Sequence, residues 1–146
     1  MFDFPFSGYR RDRSRELKIA SELRGCGFGV VQMRSLEVRH LADILKINEH
    51  IMAAVSGRNE NNDRSIIIAT DMRVVAIDYM PLFHSVDEIS YGSIQGVTVS
   101  AVVLRAVVTL HVSGRDVVLR RVKLGTAQQF ADYVETRSID LYSAAT

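Results

Sequence analysis

Residues 65–78 read SIIIATDMRVVAID. Two apolar, β-branched runs, Ile66-Ile67-Ile68 and Val74-Val75-Ala76-Ile77, flank a two-residue Asp71-Met72 turn. Thr70 closes the first run and Arg73 opens the second. Val and Ile are stiff at χ1 and fit a pleated surface, so the stretch reads as a β-hairpin. A strand covered on one face alternates apolar and polar residues, whereas these runs are apolar throughout, which predicts cover on both faces. The cover is either the helix expected at 36–48 or a second copy of the chain, so a homo-oligomer is an expectation.

On either side of the hairpin the chain keeps a period near two. Strands are expected at His50–Ser56, Ser65–Thr70, Arg73–Tyr79, His84–Ser90, Ile94–Leu104, Ala106–Val112 and Asp116–Val122. The polar, Asn-rich segment 57–63, Gly92-Ser93 and Ser113-Gly114-Arg115 supply turn chemistry. Short strands at this spacing, with no helix between them, give a sandwich or barrel. A last helix opens at Gly125 or Thr126 and presents Phe130, Val134 and Leu141, placed to plug the open end of the meander. Before the strands, Asp12 is an N-cap for a short helix to Arg24 with Leu17, Ala20 and Leu23 at helical spacing. Gly25, Gly27 and Gly29 stop it. Val30–Met33 is a short extended segment. Ser35 caps a second helix, Leu36 to about Asn48, whose Val38, Leu41, Ile44 and Leu45 form one stripe.

Several of these stretches together resemble a known family. LADILKINEHIMAAVSG (41–57), the hairpin with its Thr-x-x-Arg pattern, VDEISYGSIQGV (86–97) and FADYV (130–134) are similar to the bacterial pleckstrin-homology-like (PH-like) domains of the YokE-like type. The resemblance spans about Leu41 to Tyr142. It implies a mainly β fold with α: a seven-stranded, strongly bent barrel or sandwich capped by a C-terminal helix, here preceded by two short N-terminal helices. The expected organisation is an N-terminal basic and aromatic arm, 1–40, followed by a PH-like domain, 41–146. Loops at the open end of that fold usually carry binding, and the fold alone fixes no ligand.

Composition bounds the class. The chain has 146 residues, 47% of them hydrophobic and 24% charged, which fits one domain with its own core. A formal net charge of +1 provides no global field toward nucleic acid. Residues 1–40 hold eight Arg or Lys against five Asp or Glu, and the remainder holds ten against twelve. Cys26 is the single cysteine, so no internal disulfide forms and a reducing compartment is expected. The start, MFDFPFSGYRRDR, lacks the continuous apolar region of a signal peptide, and no apolar run is long enough to span a bilayer. A cytoplasmic protein is the expectation.

The sharpest binding candidate is the tail: Phe2, Phe4, Phe6 and Tyr9 with Arg10, Arg11, Arg13 and Arg15. Aromatics partition into headgroup regions and arginines attract anionic lipid. The same residues suit anchoring on a partner protein, and a third reading packs the tail on its own barrel. In the loop 57–64, Arg58 and Arg64 are offset by Glu60 and Asp63. No Arg-x-Arg follows, a departure from the basic signature of phosphoinositide-binding relatives. On the last strand Arg120 and Arg121 are expected on opposite faces unless a bulge intervenes, with Arg115 and Lys123 as further edge charges.

Catalytic constellations are weak. His40, His50, His84 and His111 lack metal spacing. Cys26 has no base supplied by the sequence and reads as a loop thiol, and Asp87 and Glu88 face opposite sides of one strand. No catalytic, metal or cofactor site and no small-molecule substrate is assigned. The expectation is a non-enzymatic binding or assembly module acting protein to protein with self-association. The alternative is a peripheral module that meets an anionic membrane surface through its tail.

Overall fold

The computed structural model describes residues 13–29 and 35–145. The elements run α1 (Arg13–Gly25), α2 (Ser35–Ile44), β1 (Ile51–Arg58), β2 (Arg64–Thr70), β3 (Val74–Tyr79), β4 (His84–Ile89), a 3-10 turn (Tyr91–Ser93), β5 (Ile94–Val102), β6 (Arg105–Val112), β7 (Arg115–Lys123) and α3 (Leu124–Ala145). The strands form one antiparallel seven-stranded sheet in the order β4-β3-β2-β1-β7-β6-β5. This is the mainly β architecture, closed by a C-terminal helix, that the strand spacing predicts, and it fits the fold that the resemblance implies. The Asp12 cap, the Val30–Met33 segment and the Ser35 side-chain cap lie outside what the structure describes.

The hairpin that sets the fold is built as its sequence dictates. β2 and β3 pair from Arg64↔Tyr79 to Ala69↔Val74, and the Thr70 amide donates to Arg73 O across the turn at 2.8 Å. Side chains alternate between two cores. Ile67, Ala69, Val74 and Ala76 point into the barrel with Val108, Leu110, Leu119 and the α3 residues Ala127, Phe130 and Val134. Ile66, Ile68, Val75 and Ile77 point outward, where Ile19 and Leu23 of α1, Cys26, Phe28, and Val38, Leu41 and Leu45 of the α2 region cover them. The chain's own helices thus provide the second cover, and the doubly apolar hairpin gives no reason for a second copy. Burying each such aliphatic side chain contributes roughly 1.5–3 kcal/mol, so the outer core is a main part of the fold's stability.

α1 stops as its glycines require. Gly27 sits at φ +94°, its amide donates to Arg24 O, and the Phe28 amide donates to Leu23 O. That pair of bonds is a Schellman cap, and the Phe28–Leu23 apolar contact that accompanies such caps is buried in the outer core. α2 ends four residues before Asn48, where the stripe of apolar residues suggested an end. Arg73 Nη2 takes the Ile44 carbonyl at 2.9 Å, and a Lys46–Glu49 turn follows, closed by Glu49 N to Lys46 O. α3 starts one residue before Gly125, and Leu141, expected on its buried face, is exposed.

Two local irregularities shape the sheet. Where β1 meets β7, Arg58 is the partner of Arg120. A Cβ on Gly57 would fall 2.1 Å from the Arg120 carbonyl oxygen, so the two strands approach here as only glycine allows. In β7 the register shifts between Ala106↔Val122 and Val108↔Leu119, and Arg121 has φ +58°. This is a bulge at Arg120-Arg121. It corrects the expectation that the two arginines face opposite sides: Leu119 and Val122 point into the core, and both arginines are exposed.

Candidate functional site

Of the tail residues, Phe2, Phe4, Phe6, Tyr9, Arg10 and Arg11 lie outside the described residues. Arg13 and Arg15 fall in the first turn of α1, Arg13 exposed and Arg15 half-buried.

The loop candidates are engaged locally. Arg64 and Arg120 are the strand partners of Arg58 on its two sides, and like charges directly opposite destabilise a sheet. Here the Arg58 and Arg120 guanidinium groups hold the 59–63 loop. Arg58 Nη1 donates to Asn62 O at 3.4 Å and Arg120 Nη2 to Asn59 O at 3.1 Å. Asn59 Oδ1 accepts from the Asn61 and Asp63 amides, an Asx-type turn. The loop is closed on itself.

A concave surface lies at the other end of the barrel. The 3-10 turn, the start of β5, the β6–β7 turn and the second half of α3 enclose a groove of about 780 Å³, lined by Tyr91, Ile94, Gly96, Ser113, Ser138 and Ile139 among others. Its walls are fixed from behind. Tyr91 OH donates to Thr70 O, Tyr91 and Tyr133 stack edge to face, and Arg137 Nη2 reaches Asp71 O at 3.0 Å. Burial, reinforced by the neighbouring Tyr133, pushes the Tyr91 hydroxyl far above its ordinary range, so it stays a neutral donor. Ser138 Oγ is buried and has no hydrogen-bond partner among the described residues. Among the described residues β5 pairs only with β6 and ends the sheet, so its outer edge runs from this groove with ladder groups facing away from β6. Sequence reasoning missed the groove because its walls come from four separated segments.

Three clusters of titratable groups carry other roles. His40 of α2 stacks on His84 of β4, ring centroids 4.3 Å apart, with Tyr79 at 6.2 Å from each. Burial and the adjacent His84 hold His40 below its ordinary pKa, against the pull of Asp43. Thr98, His111 and Asp116 line up as Thr98 Oγ1···Nε2 at 2.7 Å and Nδ1···Asp116 Oδ1 at 3.0 Å. The order is that of a nucleophile, base and acid, but it lies on an open strand face with the His111 side chain 39% and Asp116 57% exposed. Such a row holds the edge strand β5 to its neighbours. Cys26 is not an exposed thiol: burial, with Glu22 nearby, pushes it up to about 11, so it stays protonated as part of the outer core. Among the described residues no three His, Cys, Asp or Glu side chains come together to hold a metal ion, and no helix is long and apolar enough to cross a membrane.

Comparison with known proteins adds three findings. The family profile described as "Bacterial PH domain" matches residues 45–136. No curated protein matches. Among solved structures, a DUF1696 family protein with a pleckstrin-homology domain from Shewanella loihica PV-4 is similar, at 21% identity and a TM-score of 0.48. The match covers 70% of this chain and 94% of that one.

Proposed function

Because this chain belongs to the bacterial PH domain family, we propose that it works by binding, in the cytoplasm, and that its ligand is an extended segment of a partner protein laid along the free edge of β5 into the groove beside α3. The observation that carries this reading is the coincidence of an open strand edge with a concave, mainly apolar wall at its start. An added strand gains main-chain hydrogen bonds from the edge, and side chains on alternate positions enter the groove, which supplies specificity. The Ser138 hydroxyl, with Gln95, Ser113 and Glu135, offers polar handles in a mainly apolar lining. Gly96 leaves room for close approach of another backbone, as glycine in a strand commonly does.

A photocrosslinking amino acid placed at Gln95 and, separately, at Glu135 in native cells tests the reading. Both positions line the groove from opposite walls. The expected result is one protein captured from both positions and lost from both when Ile139, an exposed groove residue, is changed to Asp. Different adducts from the two walls, or capture unaffected by Ile139→Asp, would overturn it.

A further inference from the structure

The far end of β5 carries a second surface of different character. β5 and β6 are joined by a two-residue turn, Val103-Leu104, closed by the pair Val102↔Arg105. Val102, Val103 and Leu104 are 58%, 90% and 81% exposed. Nothing in the fold requires three apolar side chains there. The backbone in fact opposes one of them: Val103 has φ +60°, while Leu104 is not among the positive-φ residues. A positive φ at the first of two central positions is the type II′ pattern, where glycine is the usual residue and a β-branched one is strained. An outlier that the fold does not need is a reason to look for function at that point.

The charged side chains of β6 and β7 at the tip end are basic. Arg105 is paired with Lys123, both exposed, and both lie on the outer face, because their neighbours Ala106 and Val122 point into the core. The bulge turns Arg121 outward on the same strand, two residues farther down. Arg120 is engaged with the 59–63 loop and is left out of this group. Across residues 94–123 the single acid is Asp116, at the opposite end of β7 and bonded to His111. α3 begins directly after Lys123 with no acid in its first turn, so its N-terminal partial charge adds to the same field.

We infer that the Val102–Leu104 turn, with Arg105, Arg121 and Lys123 as its basic collar, is a docking point for an anionic lipid bilayer. The apolar tip enters the acyl boundary and the collar meets the phosphates, the division of labour seen wherever apolar and basic residues share a membrane-facing surface. The collar is what selects this occupant. A second copy docking tip to tip would set Arg105, Arg121 and Lys123 against their own counterparts, an arrangement that like charges disfavour. The exposed apolar turn with Leu82 and Phe83 has no such collar; Asp78, Asp87 and Glu88 are the acidic residues of the strands it joins. Groove and tip lie at opposite ends of β5, about 20 Å apart for six extended residues, so a partner segment and a membrane can be held together.

The test is co-sedimentation of the full chain with vesicles of phosphatidylcholine containing phosphatidylglycerol, at low and high salt. Binding is expected at low salt, weakened by high salt and by omission of phosphatidylglycerol. Val103→Asp/Leu104→Asp should lower the bound fraction about tenfold and Arg105→Glu/Lys123→Glu by a similar factor. Val103→Gly, which relaxes the turn, should bind more weakly while melting no lower than the parent, so lost binding cannot be lost folding. No sedimentation of the parent chain, or binding that survives the aspartate pair and is abolished instead by removing residues 1–11, would overturn the assignment.

Discussion

Arg73 holds Glu49 with a two-pronged grip: Nε donates to Oε2 and Nη2 to Oε1, both at 3.0 Å. The Glu49 carboxylate is fully buried, and Thr70 Oγ1 donates to it at 2.5 Å. The same guanidinium reaches the Ile44 carbonyl at the end of α2 and Glu88 of β4. One side chain thus ties α2, the approach to β1, the β2–β3 turn and β4. Removing one partner of a buried pair leaves the other charge uncompensated, which costs about 3–5 kcal/mol. Arg73→Leu should therefore lower the unfolding free energy by that amount, read as a lower denaturant midpoint at an unchanged slope. Burial raises the Glu49 pKa, but the bonds from Arg73, Thr70 and the Lys46 amide outweigh it and hold it below the ordinary carboxylate value. A depressed folded pKa contributes stability that is present above the unfolded value and is lost as pH falls through the folded one. Stability measured from pH 6 downward should show an acid loss that Glu49→Gln, already destabilised at neutral pH, lacks.

His40 titrates in a higher window. Its pKa is lowered in the fold, so between the folded and unfolded values the unfolded chain binds more protons, and stability falls as pH drops below about 6.5. The groups facing it are His84 and Asp43, together with the Tyr79 ring. Chemical denaturation at pH 8 and pH 5.5 should show a drop for the parent chain, and His40→Gln should flatten it. An unchanged drop in His40→Gln would place the titrating group elsewhere.

Gly57 predicts a steric effect with no charge involved. The atom that a new Cβ would strike is a backbone oxygen, which cannot rotate away as a side-chain end can. Gly57→Ala should cost about 1–3 kcal/mol, the usual range for overpacking. The loss should appear in hydrogen exchange first at the β1–β7 junction, where Arg58↔Arg120 is the pair formed.

The turn at Val103 predicts the opposite sign. A left-handed backbone costs an L-residue roughly 1–2 kcal/mol, and glycine removes that cost but adds unfolded-state entropy of roughly 0.5–1 kcal/mol. Val103→Gly should therefore leave a net gain of about 0.5–1 kcal/mol, worth a rise of a few degrees in melting temperature for a chain of this size. A fall in melting temperature would mean that the Val103 side chain packs favourably in the isolated protein.

The strands were legible because their signals are local: β-branched runs, period two, and turn residues between them. Their bounds in the structure fall within two residues of those read from the sequence, and Ile94–Leu104 shortens to Val102 because Val103-Leu104 is itself the turn. The hairpin 65–78 also announced its double burial, since no polar residue interrupts either run. What stayed hidden depends on contacts between distant segments. Glu49 reads as a polar residue at the edge of a helix until Arg73 is brought onto it from 24 positions away. The bulge at Arg120-Arg121 leaves no trace in residue type, and it reverses the facing of one arginine. The groove draws on the 3-10 turn, β5, the β6–β7 turn and α3, so no window along the chain contains it.

The outer core makes the N-terminal helices part of the folding unit. α1 contributes Ile19 and Leu23, with Cys26 and Phe28 just beyond it, and these four cover the same sheet face as Ile66, Ile68, Val75 and Ile77. Glu22 adds a polar tie, accepting from the Ile51 amide at 2.8 Å and meeting His50 Nδ1 at 3.0 Å. Leaving four Ile or Val side chains uncovered would forgo roughly 6–12 kcal/mol at 1.5–3 kcal/mol each, as large as the net stability of an ordinary domain. A chain beginning at Ser35 retains α2 and so part of the cover, but loses everything that α1 and its cap supply. It should melt many degrees lower or aggregate, and it should bind dyes that report exposed apolar surface. A chain that lacks only residues 1–11 should keep its melting temperature within a few degrees of the parent. Equal stability of the two truncated chains would show that α1 adds little to the outer core.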